Sequence, residues 1–301
     1  MKRDHPWRGY ALALFAACGW AAGGLSSKWI FLHAPYVTPE ILAAARVCIA
    51  APILGVYLLL FDRKALKVPW SWKNALYLVV FGALAAAGMQ FTYFKTISLT
   101  NIATAILLEY LAPIFTLAFA VILFKHKLRW QMVVGVITAI LGSAIAVGAF
   151  APGGLTITSE GLIWGLTSAF FFALYSVMGA HADKRIQPIG LLFYGLFFAA
   201  LMWMVVLGPD DIFVVFREER VALIVLAMSL IATILPFGAF LTALRIISPT
   251  HTTITSMVEP VIVGIVAAFL FGETLTASLI VGGAIILGSI GWIQLQDTGT
   301  G

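Results

Sequence analysis

The chain has 301 residues, of which 62% are hydrophobic and 10% charged, and its mean hydropathy is +1.04. A water-soluble core cannot bury that much apolar surface, so the composition indicates a protein whose solvent is lipid. The formal net charge is +5. The basic residues stand at the ends of apolar stretches and form no stripe with interleaved aromatic rings, which argues against nucleic-acid binding.

The apolar runs are long and continuous, which favours membrane-spanning helices over the short alternating segments of a β-barrel. Breaks rich in proline, glycine and charge separate them. We predict ten spans, at residues 8–31, 38–61, 73–96, 101–124, 128–149, 159–181, 187–208, 220–245, 250–271 and 275–295. The predicted fold class is an all-α integral membrane protein.

The distribution of Lys and Arg predicts the orientation of these spans. With the N-terminus in the cytoplasm, 13 of the 18 basic residues fall in cytoplasmic segments and 4 at the opposite ends. Cytoplasmic loops are enriched in Lys and Arg, so we expect the N- and C-termini in the cytoplasm. We expect the chain to lie in the inner (plasma) membrane and to cross it several times.

The chain also shows an internal repeat. Shifts of 150 and then 147 residues align its two halves, and the aligned pairs include Lys95 with Arg245, Asn101 with His251, Glu109 with Glu259, and Pro113 with Pro260. We therefore expect two repeats, 1–150 and 151–301, with five spans each. An odd number of spans makes the second repeat enter from the opposite side, so the repeats are inverted. Such an architecture places a binding site in a central cavity near the bilayer midplane.

Several short motifs occur in a characteristic order along the chain. They are Trp20, Pro39 followed by Arg46, the run 93–103 followed by Pro113, the run 244–250, Glu259-Pro260, and the run 271–275. In these features the chain resembles the drug/metabolite transporter superfamily, and within it the ten-helix EamA-type exporters, most of all those of aromatic amino acids. The resemblance implies a basket in which helices one, three, four, six, eight and nine surround the cavity. The chain departs from the family at 125–127, where Gly-Glu is more common.

Two glutamates lie deep in the predicted membrane spans. Glu109 and Glu259 each stand about nine residues into a span, roughly 13 Å deep at ~1.5 Å per residue. A charge there costs ~3 kcal/mol or more, so each should face a wet cavity, pair with a cation or be protonated. The functional interpretation is contact with a substrate amine or proton coupling; the alternative is a structural carboxylate beside a hydroxyl or basic neighbour. Arg46, also within a span, we assign to a structural role.

Polar and aromatic residues on the presumed cavity helices complete the candidate site. Hydroxyls near the starts of spans four and nine could bind the amino acid backbone, although such groups often bond their own helix. Rings beside small residues suit a flat apolar side chain, with ordinary packing as the alternative. The candidate substrate-binding and cavity residues are Trp20, Gln90, Tyr93, Asn101, Glu109, Tyr110, Trp164, Ser168, Phe171, Tyr175, His251, Thr255 and Glu259.

The sequence contains no Gly-rich phosphate loop, no Cys/His metal spacing and no Ser-His-Asp set, so we expect no catalytic residue, metal or cofactor. The expected function is a secondary transporter that exports amino acids, aromatic and other neutral ones, or related small metabolites by alternating access. Its partners would be a small-molecule substrate and the lipid bilayer, with possible proton coupling. The alternatives are a drug or nucleotide-sugar carrier of the same superfamily and, disfavoured, a membrane-embedded enzyme.

Overall fold

The computed structural model describes residues 6–69, 71–123, 125, 130–151, 158–271 and 276–298, without the side chains of 264, 267–271 and 294–298. Within these ranges the regular structure is helical and contains no strand. The main helices are α1 (Pro6–His33), α2 (Pro39–Phe61), α3 (Trp72–Leu99), α4 (Ile102–Ile122), α5 (Trp130–Ala146), α6 (Ser159–His181), α7 (Pro188–Val206), α8 (Glu219–Ile246), α9 (Pro249–Ser256 and Glu259–Phe271) and α10 (Ala277–Thr298). Short helical turns at Arg63–Leu66, Pro209–Ile212 and Phe213–Arg217 lie in the connections.

Seven of these helices, α1 to α4 and α6 to α8, are long and apolar enough to cross a membrane. The stretches Trp130–Ala146 and Ala277–Ile293 are shorter and also apolar. The described part of the chain is thus all-helical and typical of a multi-pass membrane protein, as the composition predicted. The predicted span limits at residues 124, 128 and 275, the termini, and the family motifs at 125–127 and 271–275 lie wholly or partly outside the described residues.

Polar side chains fix the starts of the helices. Asn101 caps α4 by accepting a hydrogen bond from the backbone N–H of Thr104 at 2.8 Å. Ser248 caps α9 by accepting from the N–H of His251 at 3.3 Å, and Pro249 follows as the first helical residue. The equivalent of Asn101 is therefore Ser248, 147 residues later. The pairing of Asn101 with His251 at a shift of 150 does not match the helix starts.

Four interruptions recur at corresponding places in the two halves. A π-helical turn lies within α3 at Val80–Ala86, and another lies within α8 at Leu230–Ile234. Helix α4 breaks at residues 110–111, after Glu109, and α9 breaks at residues 257–258, before Glu259. The breaks are 147 residues apart, whereas the two glutamates are 150 residues apart. Glu109 therefore precedes its break and Glu259 follows its break, so the two are not equivalent positions.

The helices pack in a pattern that is preserved when the two halves are exchanged. Helix α1 lies along α8 as α6 lies along α3, while α2 packs against α7 and α5 against α10. Small residues permit the closest crossings. A methyl group on Gly19 of α1 would lie 2.7 Å from the carbonyl oxygen of Ile231 in α8, too close for any residue but glycine. These contacts bring α1, α3, α4, α6, α8 and α9 around one central cavity.

Candidate functional site

A cavity of about 50 Å³ lies between the two halves. Helices α1, α2, α3, α4, α6, α8 and α9 each contribute to its wall, so α2 joins the six helices that the family resemblance implied. The residues that line it are Trp20, Gly23, Gly24, Arg46, Met89, Gln90, Tyr93, Phe94, Glu109, Phe172, Ala232, Phe237 and Glu259.

Five of the residues that the sequence singled out meet at this cavity. They are Trp20, Gln90, Tyr93, Glu109 and Glu259. Two more predicted residues bind the glutamates. Ser168 Oγ donates to Glu109 Oε1 at 2.8 Å, and Tyr110 Oη donates to Glu259 Oε2 at 3.2 Å.

Among the described residues, the two glutamates have hydroxyl partners but no cationic partner. Within the described residues, no Lys, Arg or His nitrogen lies within 4.0 Å of either carboxylate. The side chain of Glu259 is nevertheless buried, with 4% of the residue exposed. A buried carboxylate without a cation is unfavourable, so a cationic ligand or a proton would stabilise this arrangement.

Three polar atoms at the same cavity are buried without a hydrogen-bond partner in the described part of the chain. They are Trp20 Nε1, Gln90 Oε1 and Tyr93 Oη. Buried polar groups are normally paired, because an unpaired one costs about 1–3 kcal/mol. The cavity wall thus contains two unpaired donors and one unpaired acceptor beside the two carboxylates. Such a wall is suited to a polar ligand.

Aromatic rings form the apolar side of the cavity. The ring of Trp20 lies 5.6 Å from that of Phe172 and 5.1 Å from that of Phe237. Tyr175 lies behind this wall, with its ring 5.6 Å from Phe237, and borders a smaller adjoining pocket with Gln90. The rings would accommodate an apolar or aromatic side chain.

The structure places five other predicted residues away from this cavity. Asn101 is the cap of α4, and the hydroxyl of Thr255 donates to the carbonyl oxygen of His251 within α9 at 2.7 Å. The ring of Trp164 packs on Phe91 at 5.3 Å. The remaining two, Phe171 and His251, have ring contacts with Phe170 and Tyr10.

Several of the lining residues were not predicted from the sequence. Phe172 follows Trp20 by 152 residues, the shift that also aligns Gly9 with Gly161, so the repeat itself could have located it. Arg46 was assigned to a structural role. A charged residue within a membrane span was the signal that could have placed it at the site.

Basic residues outside the cavity hold the connections between helices. Arg245 Nη1 donates to the carbonyl oxygen of Ala182 at 2.9 Å. Lys95 Nζ lies 3.9 Å from Glu40 Oε1. In the same connection as Ala182, hydrogen bonds from Arg185 hold the pKa of Asp183 below its ordinary value. Within the described residues, no group of three or more His, Cys, Asp or Glu side chains could hold a metal ion.

A lipid-embedded helical bundle that encloses a polar and aromatic cavity between two similar halves has the architecture of a membrane transporter. The sequence pattern of the EamA-like transporter family matches residues 7–148 and again 159–295. The chain belongs to this family, which confirms the resemblance at the level of the family.

Named relatives cover most of the chain. The uncharacterized inner membrane transporter YicL of Salmonella typhimurium strain LT2 is 25% identical over 291 residues, 96% of either chain. An uncharacterized transporter of Archaeoglobus fulgidus is 28% identical over 72% of this chain and 75% of its own. The threonine/homoserine exporter RhtA of Escherichia coli strain K12 is 27% identical over 97% of this chain and 93% of its own. One solved crystal structure has the same fold, with a TM-score of 0.72 and 21% identity over 96% of each chain.

Proposed function

We propose that this membrane transporter is a secondary carrier that exports neutral amino acids, aromatic ones included, or closely related metabolites by alternating access. The observation that carries the proposal is the composition of the cavity wall. Two carboxylates stand there, the buried Glu259 and the half-buried Glu109, with three unpaired polar atoms and a cluster of rings. A relative named as a threonine/homoserine exporter, 27% identical over nearly the full length, supports the same substrate class.

The chemistry of the wall matches that of a neutral amino acid. The ammonium group would lie against the carboxylates, which lack any other cation within bonding distance in the described structure. The unpaired atoms of Gln90 and Tyr93 would bond the polar backbone of the substrate. The rings of Trp20, Phe172 and Phe237 would contact its side chain, which favours apolar and aromatic amino acids.

The transport mechanism that we propose depends on two inverted five-span repeats, near 1–150 and 151–301, with both termini in the cytoplasm. The matching interruptions in α3 and α8 and in α4 and α9 support a duplication, as do the two matches to the family. The proposed location is the inner membrane, in line with the name of the Salmonella relative. Rocking of one repeat against the other would expose the cavity to each side in turn.

Other carriers of the superfamily fit the cavity less well. A nucleotide sugar presents a diphosphate, which several Lys or Arg side chains would need to neutralise. The described lining contains one basic residue, Arg46, where several would be needed. No feature of the described structure favours a drug carrier over an amino acid carrier.

The proposal is tested with purified protein. Binding of the standard amino acids and of control sugars and nucleosides is measured by competition against a labelled amino acid. Counterflow of labelled phenylalanine and threonine is then followed in proteoliposomes. We expect saturable, mutually competitive binding of neutral amino acids and their flux. Folded protein that neither binds nor moves any amino acid would refute the proposed function.

A further inference from the structure

Arg46 of α2 is a buried guanidinium at the wall of the central cavity, with 5% of the residue exposed. One edge of the group is fully occupied. Its Nε and Nη2 donate to Thr233 Oγ1 at 3.1 and 2.8 Å, and Nη2 also donates to the carbonyl oxygen of Ala232 at 2.9 Å. The ring of Phe94 lies 5.0 Å from the guanidinium carbon, a cation–π distance.

The sequence of α8 explains why this edge is held. Pro236 has no N–H, so it cannot bond the carbonyl four residues earlier, which is that of Ala232. The π-helical turn Leu230–Ile234 lies at the same place. An unpaired carbonyl within a membrane is costly, and Arg46 donates a hydrogen bond to this one. The local fold thereby fixes both the position and the plane of the guanidinium.

The other edge of the guanidinium is unoccupied by protein. Arginine has five N–H groups, and the two on Arg46 Nη1 have no hydrogen-bond partner among the described residues. No described carboxylate lies within 4.0 Å of its nitrogens. Glu109 and Glu259 line the same cavity but bond Ser168 and Tyr110 instead. Among the described residues, the cavity therefore holds a fixed, buried cation without a counter-ion.

We propose that Arg46 binds the carboxylate of the transported molecule and determines that the substrate must carry one. The inference rests on the proposed function and specifies it: a zwitterion would place its carboxylate at Arg46 and its ammonium at the glutamates. A guanidinium forms charge-assisted hydrogen bonds with a carboxylate, and these are strong where water is excluded. Because Thr233 and Ala232 already hold the group, little further ordering is needed on binding.

The first arm of the test changes the ligand and leaves the protein intact. Binding of L-phenylalanine and L-threonine to the wild type is compared with binding of their carboxamides at pH 6. An α-amino group with a pKa near 8 stays protonated there, so the amide loses only the anion. We expect the amides to bind about 10- to 100-fold more weakly. Equal affinity for acid and amide would overturn the inference.

The second arm changes Arg46. In R46Q the affinity for the amino acid should fall to that for the amide, while the affinity for the amide stays the same; R46K should lie in between. Thr233→Val is the matched control. It removes an anchor of Arg46 but keeps the charge, so it should lower the melting temperature while retaining most of the preference for the acid. If R46Q keeps the wild-type ratio of acid to amide affinity, Arg46 has only a structural role.

These arms separate failure of the inference from failure of the proposed function. Suppose that the wild type binds and transports amino acids, and that R46Q has the same ratio of acid to amide affinity. That result overturns the role of Arg46 alone. A folded wild type that binds neither acid nor amide overturns both. If R46Q does not fold, the ligand comparison in the wild type and R46K decides the question.

Discussion

The hydroxyl of Tyr110 lies 3.2 Å from the carboxylate of Glu259 and joins the break in α4 to the break in α9. The same hydroxyl lies 3.1 Å from the carbonyl oxygen of Ser256. Pro260 has no N–H to bond that carbonyl, which is four residues earlier, so Tyr110 satisfies an acceptor that α9 leaves unpaired. One side chain of the first half thus completes the interrupted helix of the second half and positions a cavity carboxylate.

Tyr110→Phe should therefore destabilise the protein. The change preserves the ring and removes the donor, which leaves the Ser256 carbonyl and Glu259 without this partner. We expect a loss of about 1–2 kcal/mol, seen as a lower melting temperature in detergent. Tyr175→Phe is the matched control, because Tyr175 is equally buried and its hydroxyl has no partner among the described residues. Equal melting temperatures for the two variants would contradict the proposed bond.

The negative charge of Glu259 is expected to bind the substrate ammonium. Glu259→Gln preserves the shape of the side chain and an acceptor for Tyr110 but removes the charge. Affinity for neutral amino acids should fall about 10- to 100-fold in a competition assay, since a charged hydrogen bond is lost. Glu40→Gln should not change it, because Glu40 lies by Lys95, away from the cavity. A variant E259Q with wild-type affinity would remove Glu259 from the binding site.

Proton coupling is a separate prediction from the same residue. If Glu259 takes up a proton during the cycle, a pH gradient across proteoliposomes should accelerate amino acid flux in the wild type. The same gradient should leave the flux unchanged in E259Q, whose amide cannot titrate. Flux is measured with and without the gradient at equal substrate concentration. If the gradient has no effect on either protein, coupling through this carboxylate is excluded.

Trp20 and Trp164 offer a direct test of which rings contact the substrate. Trp20 lines the cavity, whereas Trp164 packs on Phe91 outside it. Trp20→Leu should reduce affinity for phenylalanine several-fold more than affinity for threonine, because an aromatic wall is lost. Trp164→Leu should leave the ratio of the two affinities unchanged. The ratio is independent of the active fraction of protein, so partial misfolding cannot mimic the effect. A shifted ratio in the Trp164 variant alone would contradict the assignment.

The helical, lipid-embedded class could be predicted from the sequence because long, uninterrupted apolar runs are typical of membrane-spanning helices. Glu109 and Glu259 could be located as well, since a carboxylate inside an apolar run is conspicuous and costly. The rings that face the cavity could not be identified in this way. In a soluble helix the polar face marks the outside, but here lipid-facing and inward-facing sides are both apolar. Phe172 and Trp164 on α6 therefore look alike in sequence, although only the first reaches the cavity.

The alignment of the halves shows a second limit. Chemical likeness paired Glu109 with Glu259, yet the starts and the breaks of α4 and α9 correspond at a shift of 147, not 150. The caps Asn101 and Ser248 could have given the correct shift, because a cap side chain marks the first turn of a helix. The role of Arg46 was hidden for another reason. Its partners lie nearly 190 residues away in α8, and a bond of that range depends on tertiary packing.

The crossing of α1 and α8 gives a final prediction, for Gly19. Glycine there lets α1 approach the π-helical turn of α8, and the methyl group of Gly19→Ala would lie 2.7 Å from the Ile231 carbonyl oxygen and 2.9 Å from Pro236. The two helices must separate to accept it, at a cost of about 1–3 kcal/mol. Because α8 also holds Arg46, we expect weaker substrate binding together with a lower melting temperature.

Gly288→Ala is the control, since nothing lies within 4 Å of the added methyl in the described structure. It should melt at the wild-type temperature or slightly above, as alanine favours a helix. If both variants melted like the wild type, the close approach of α1 to α8 would be wrong.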